Sequence, residues 1–258
     1  MTIPTRVRAL ALPLALALAL TGGPLHAAEA PAPLPEAAAQ RITADPHGDL
    51  YDAMQGGIDN ERVLDNLIES IIAEMFRLVP ELELLEAEKP GLMAGMAAAF
   101  RPVLADYSAR VKETYRPRMI ALFKEELSAE DAEQLSAFYR SDLGRKLLTG
   151  LSNNYTGART MRSAIENPKA DIPAETITND VKSATFKAYL GLSVADRKAV
   201  DALATDIPAF GKLNKLQPQI NALRHEMENS PMLPEEDARL QSSIDAALQE
   251  YLDNPAEK

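Results

Sequence analysis

The residues able to do chemistry in this chain are few. Its 258 residues contain no cysteine, so thiol catalysis, disulfides and cysteine-held metals are excluded. Two of its three histidines stand outside the N-terminal leader, His47 and His225. His47 lies in DPHGDLYD, where Asp45, Asp49 and Asp52 add three carboxylates, an assortment suited to an oxygen-rich cation site. The spacing matches no known cation loop, and the expectation is a polar loop before the first helix. His225 stands off the Leu213, Leu216, Ile220, Leu223, Met227 stripe and is expected on a solvated face, without the partners of a catalytic triad.

RVKETYRPR, residues 110–118, is the one basic island, and its Arg110, Lys112, Arg116 and Arg118 could hold an anion beside Tyr115. A break at Pro117 would instead make these cations complements of a helix C-terminus, the favoured reading. Glu125/Glu126 and Asp131/Glu133 are paired only along the chain, whereas glycosidic acid–base chemistry needs carboxyls facing each other across a cleft. Met93 and Met96 could line a soft groove, although methionine in a helix is more often core. Phosphate-binding glycine loops and nucleophile elbows are absent. No catalytic, cofactor-binding or metal-binding residue is assigned. The expectation is a non-catalytic binding or interaction module that takes an envelope protein, a peptide or an apolar ligand. The alternative is a hydrolase with a site near His47 or residues 110–118.

The compartment follows from the N-terminus. Arg6 and Arg8 precede ALALPLALALAL, residues 9–20, which is apolar but too short to span a bilayer. The small residues of LHAAEAP then predict cleavage after Ala27 or Ala28, because Pro31 disfavours a later cut. A periplasmic protein without lipid anchor or transmembrane segment is expected. The formal net charge is −11 and becomes more negative by two when Arg6 and Arg8 leave. Such a chain is a poor ligand for nucleic acid or anionic lipid, both of which reward clustered cations.

The elements that must position these residues read as helices almost throughout. Ala, Leu, Glu, Asp and Lys dominate, and no run alternates with period two. The expected fold is all-α, a bundle of antiparallel helices built from two related helix-corner-helix units. Residues 28–58 read as a loose Pro/Ala/Gly-rich leader, 59–166 as the first unit, 167–174 as a linker and 175–258 as the second unit. From the cap Asp59, Val63/Leu64, Leu67/Ile68, Ile71/Ile72 and Met75/Phe76 repeat every four residues, and Pro80 is expected to end that helix. A second helix is expected over residues 91–115, kinked at Pro102, with Pro117 in the first turn of the next.

The clearest local structure is SAFYRSDLGRKLL, residues 136–148. Ser128 caps a helix whose third position is Asp131, and that helix runs to Phe138 and Tyr139. Ser141 caps an immediate restart, and Gly144 is expected to offset its cost to the helix, about 1 kcal/mol, by permitting close backbone approach. A looser version follows. Ser193 and Asp196 match Ser128 and Asp131, Gly211-Lys212-Leu213 echoes Gly144 to Leu147, and Phe186-Lys187 echoes Phe123-Lys124.

The capped helix ending in Phe-Tyr-x-Ser, followed by x-x-Gly-x-x-Leu-Leu, resembles the exported bacterial family called "domain of unknown function twenty fifty-nine". The resemblance covers about residues 115–151, with a degenerate second copy over about 186–223. Asp142 stands where the family commonly has proline, which keeps the cap but loses the fixed φ. The resemblance implies an all-helical envelope protein and brings no reaction, cofactor or catalytic residue with it. Ser128, Asp131, Phe138, Tyr139, Ser141, Gly144, Ser193, Asp196 and Gly211 are read as determinants of the fold.

Overall fold

The computed structural model describes residues 44–253, and every regular element among them is a helix. The expected leader and its cleavage site lie outside the described residues. The first helices are α1 (Pro46–Gly56), α2 (Asn60–Leu78), α3 (Pro80–Glu88) and α4 (Leu92–Glu126). The capped corner supplies α5 (Ala129–Arg140) and α6 (Asp142–Asn154), followed by α7 (Ala158–Glu166). After residues 167–173 come α8 (Ala174–Gly191), α9 (Val194–Asp206), α10 (Pro208–Lys215), α11 (Gln217–Glu228) and α12 (Pro234–Asp253).

Two expectations are corrected, the first and third below, and one is extended. Residues 46–56 belong to a packed helix, not to a loose leader. Pro46 sits in its first turn, where its missing N–H is not needed, and Leu50 and Met54 are buried one turn apart. Second, α2 ends at Leu78 and Pro80 opens α3 directly, so the proline starts a helix as well as stopping one. Third, α4 runs unbroken for 35 residues with Pro102 and Pro117 inside it. An internal proline costs a helix about 3 kcal/mol. Here Met96, Phe100, Val103, Tyr107, Val111, Met119 and Phe123 are all buried along its length, and that burial outweighs the local loss.

Polar contacts fix the helix ends. Asp59 accepts from the Arg62 amide to cap α2. The buried Asn66 amide donates to the carbonyls of Ser152 and Tyr155, both at 3.0 Å, and so satisfies the C-terminal end of α6 from α2. Asn229, after α11, exchanges two hydrogen bonds with the backbone of Ile172 and pins the linker to that helix.

The two expected units do not build separate cores. One continuous apolar cluster runs from Leu50 to Ile244 and draws on both. Helix α12 lies along α4, and α8 lies along α6. At the α6–α8 crossing a β-carbon on Gly150 would come within 3.1 Å of the Ala188 methyl, so two small residues let these helices approach closely.

Candidate functional site

The residues singled out for chemistry fall into structural roles. His47 is inside α1, not in a loop, and its Nε2 donates to the Leu127 carbonyl at 2.9 Å. Its acidic neighbours face elsewhere: Asp49 pairs with Arg140, Asp52 with Arg116 and Asp45 with Lys124. Among the described residues no group of three or more His, Asp or Glu is placed to hold a metal ion.

The basic island is divided in the same way. Since α4 continues through Pro117, its cations do not complement a helix terminus. Arg110 pairs with Glu236 of α12, Lys112 donates to Asn60 of α2, Arg116 pairs with Asp52 of α1 and Arg118 with Glu226 of α11. Four cations on one helix reach four other helices, and no shared anion site is left. Met96 is fully buried, Met93 is exposed and His225 is half-buried. Glu125 and Glu126 lie exposed at the end of α4.

The motif residues form two corners. Ser128 Oγ accepts from the Asp131 amide, and Asp131 accepts from the Ser128 amide, giving a reciprocal capping box. Phe138 and Tyr139 are buried, and the Phe138 ring meets Phe210 of α10 edge-on at 5.0 Å. Ser141 alone separates α5 from α6, and its Oγ accepts from the Gly144 amide at 3.1 Å. In the second corner Ser193 caps α9 by accepting from the Asp196 amide, and Ile207 alone separates α9 from α10. Gly211 differs from Gly144: a β-carbon there would meet nothing within 4 Å.

The corners exchange partners. Lys212 of α10 pairs with Asp131 of the first corner, and Lys146 of α6 pairs with Asp196 of the second. Burial works to raise the Asp131 carboxyl, but hydrogen bonds from Lys212 and Ser128 outweigh it and hold that group below the usual carboxylate range.

Sequence reasoning missed two features. The first is buried. Arg224 and Glu228 are one turn apart on α11 and point inward near Tyr155. Arg224 Nη2, both Glu228 carboxyl oxygens and the Tyr155 hydroxyl have no hydrogen-bond partner among the described residues. Burial pushes Glu228 well above the usual carboxylate range and lowers Arg224. The legible signal was the pairing of charged with apolar residues at 223–224 and 227–228.

The second is on the surface, and it is the candidate site. An open groove of about 780 Å³ runs between α6 and the α8–α9 corner, lined by Asp142, Arg145, Lys146, Thr149, Lys187 and Asp196 among others. Beside it α8 and α9 present Phe186, Leu190 and Val194, which are 62%, 50% and 62% exposed. Phe186 and Leu190 are one turn apart on one face of α8. Lys182 stands one turn before Phe186, Lys187 follows it directly and Lys198 stands one turn after Val194, all three exposed and without a hydrogen bond or ion pair among the described residues. Phe123, which Phe186 echoes in sequence, is only 1% exposed in α4. The fold therefore buries one phenylalanine and presents its counterpart. Apolar side chains ringed by free lysines can dock an amphipathic surface of opposite charge.

Residues 114–152 match the family model described as "Uncharacterized protein conserved in bacteria (DUF2059)", the family that the Phe-Tyr-x-Ser pattern resembles. The matched segment carries the end of α4, the first corner and α6. No curated protein matches the chain. No solved structure matches it either.

Proposed function

We propose that this protein is a non-catalytic interaction module of the bacterial cell envelope, and that it docks a protein partner on the α8–α9 face. The observation that carries this reading is the exposed row Phe186, Leu190, Val194 within a ring of unpaired lysines. Burying a large apolar side chain stabilises by about 1.5–3 kcal/mol, so a fold that leaves three exposed together keeps that gain for a partner. The leader-like residues 1–27 support export, and the absence among the described residues of any helix long and apolar enough to cross a membrane fits that reading. The same proposal takes the two corners as copies of one unit, supported by the reciprocal pairs Lys212–Asp131 and Lys146–Asp196.

Crosslinking in cells tests it. A photoreactive residue at position 186 should yield a discrete protein adduct, with little at the exposed control position Glu125 on α4. Adding Leu190→Asp should abolish the adduct and leave the melting temperature unchanged. Equal labelling at both positions, or none at 186, would overturn the proposal.

A further inference from the structure

The α8–α9 face has a match elsewhere on the same chain. Helix α3 has no fully buried residue; its Leu82 and Leu85 lean on the core, while Leu84 is 66% exposed. Glu81, Glu83 and Glu88 surround Leu84, all exposed and without a hydrogen bond or ion pair among the described residues. At 100° per residue, Glu81 and Glu88 stand a turn before and a turn after Leu84 and both fall about 40–60° to one side of it, while Glu83 falls about 100° to the other. The two faces are thus complementary: leucine ringed by acids, and phenylalanine, leucine and valine ringed by lysines.

They do not meet within one molecule. Helix α3 packs on α2 and α4, whereas α8 packs on α6, α7 and α11. We propose that α3 of one copy docks on the α8–α9 face of a second copy, with Leu84 against Phe186 and Leu190 and the glutamates against Lys182, Lys187 and Lys198. This rests on the reading of the α8–α9 face as a docking surface and names its occupant. The contact joins two different surfaces, so it is head-to-tail and generates a ring or an open chain. The net charge of −11 works against self-association. At physiological salt the screening length is about 8 Å, which quenches repulsion between distant charges and spares pairs in direct contact.

Charge exchange tests the proposal. One variant carries Lys182→Glu, Lys187→Glu and Lys198→Glu; the other carries Glu81→Lys, Glu83→Lys and Glu88→Lys. Sedimentation equilibrium over a concentration series should show the unaltered protein exceeding its monomer mass. Each variant alone should associate at least about tenfold more weakly, because like charges then face each other. An equimolar mixture should regain association, since each reversed face finds its complement. Because lysines early in α3 oppose its dipole, circular dichroism checks helicity, and Leu84→Ser paired with Phe186→Ser gives an independent route to the same loss.

A monomeric wild type at every concentration overturns the proposal. So does undiminished association of either variant alone, or a mixture that stays monomeric while the wild type associates. A monomeric wild type whose position 186 still crosslinks to a different protein would end self-association and leave the docking reading standing.

Discussion

Lys212 Nζ lies 2.5 Å from Asp131 Oδ2, joining the second corner to the capping box of the first. Lys146 and Asp196 repeat the contact in the opposite direction at 2.9 Å. Each corner thus supplies the lysine that completes the cap of the other, and the two halves of the chain are tied by exchange across a shared core.

The Asp131 cap sets a pH dependence. Its carboxyl is held below the ordinary value of 3.8, so its contribution is present above the unfolded pKa and is lost as pH falls through the lower folded one. Asp131→Asn should cost about 1 kcal/mol at neutral pH and flatten the acid limb of stability below about pH 4. Lys212→Met should cost less, about 0–1 kcal/mol, because Lys212 is 39% exposed and solvent screens the pair. Urea titrations at several pH values measure both. An unchanged acid limb in Asp131→Asn would remove the cap from the account.

Glu228 acts in the opposite pH direction. Burial raises its folded pKa above 4.5, so stability is present below the unfolded pKa and lost as pH rises towards the folded value. Glu228→Met should therefore raise the denaturation midpoint at pH 7 more than at pH 4. Replacement of a buried charge without hydrogen bonds by an apolar side chain of similar size is often neutral or stabilising by about 1–4 kcal/mol. Lower stability at pH 7 would mean that Arg224 depends on this carboxylate.

The first corner tolerates no β-carbon. On Gly144 it would lie 2.1 Å from the Phe138 carbonyl oxygen, which already accepts from the Ser141 amide and hydroxyl. Gly144→Ala should destabilise by about 1–3 kcal/mol despite the better helix propensity of alanine. Ser141→Ala should cost about 1 kcal/mol. Gly211→Ala, in open space, should be neutral or stabilise by up to about 1 kcal/mol. Equal effects at the two glycines would contradict the difference between the corners.

His47 gives a test of the metal reading. Its hydrogen bond to Leu127 holds α1 against the α4–α5 connection, so His47→Ala should lower stability by about 1–3 kcal/mol. Chelator treatment should leave the melting temperature of the unaltered protein where it was. A reproducible fall on chelation would reveal a bound ion that stabilises the native state by mass action.

Local chemistry was legible in the sequence where the determining contacts span a few residues. Ser128, Ser141, Ser193 and Asp59 announce their helices because a cap needs only its own first turn, and Gly144 announces the tight corner because its obstruction is Phe138, six residues earlier. The all-helical class follows from the same short-range periodicity. What only the tertiary structure decided are the outcomes where distant burial outweighs local preference. Pro117 reads as a break, yet α4 passes through it because buried residues on both sides hold the helix. The Asp45 to Asp52 acids read as a cluster, yet each of Asp45, Asp49 and Asp52 meets a cation from another helix. Phe123 and Phe186 both sit before a lysine in helical sequence. Only the packing of the other helices determines that the first is covered and the second is left facing water.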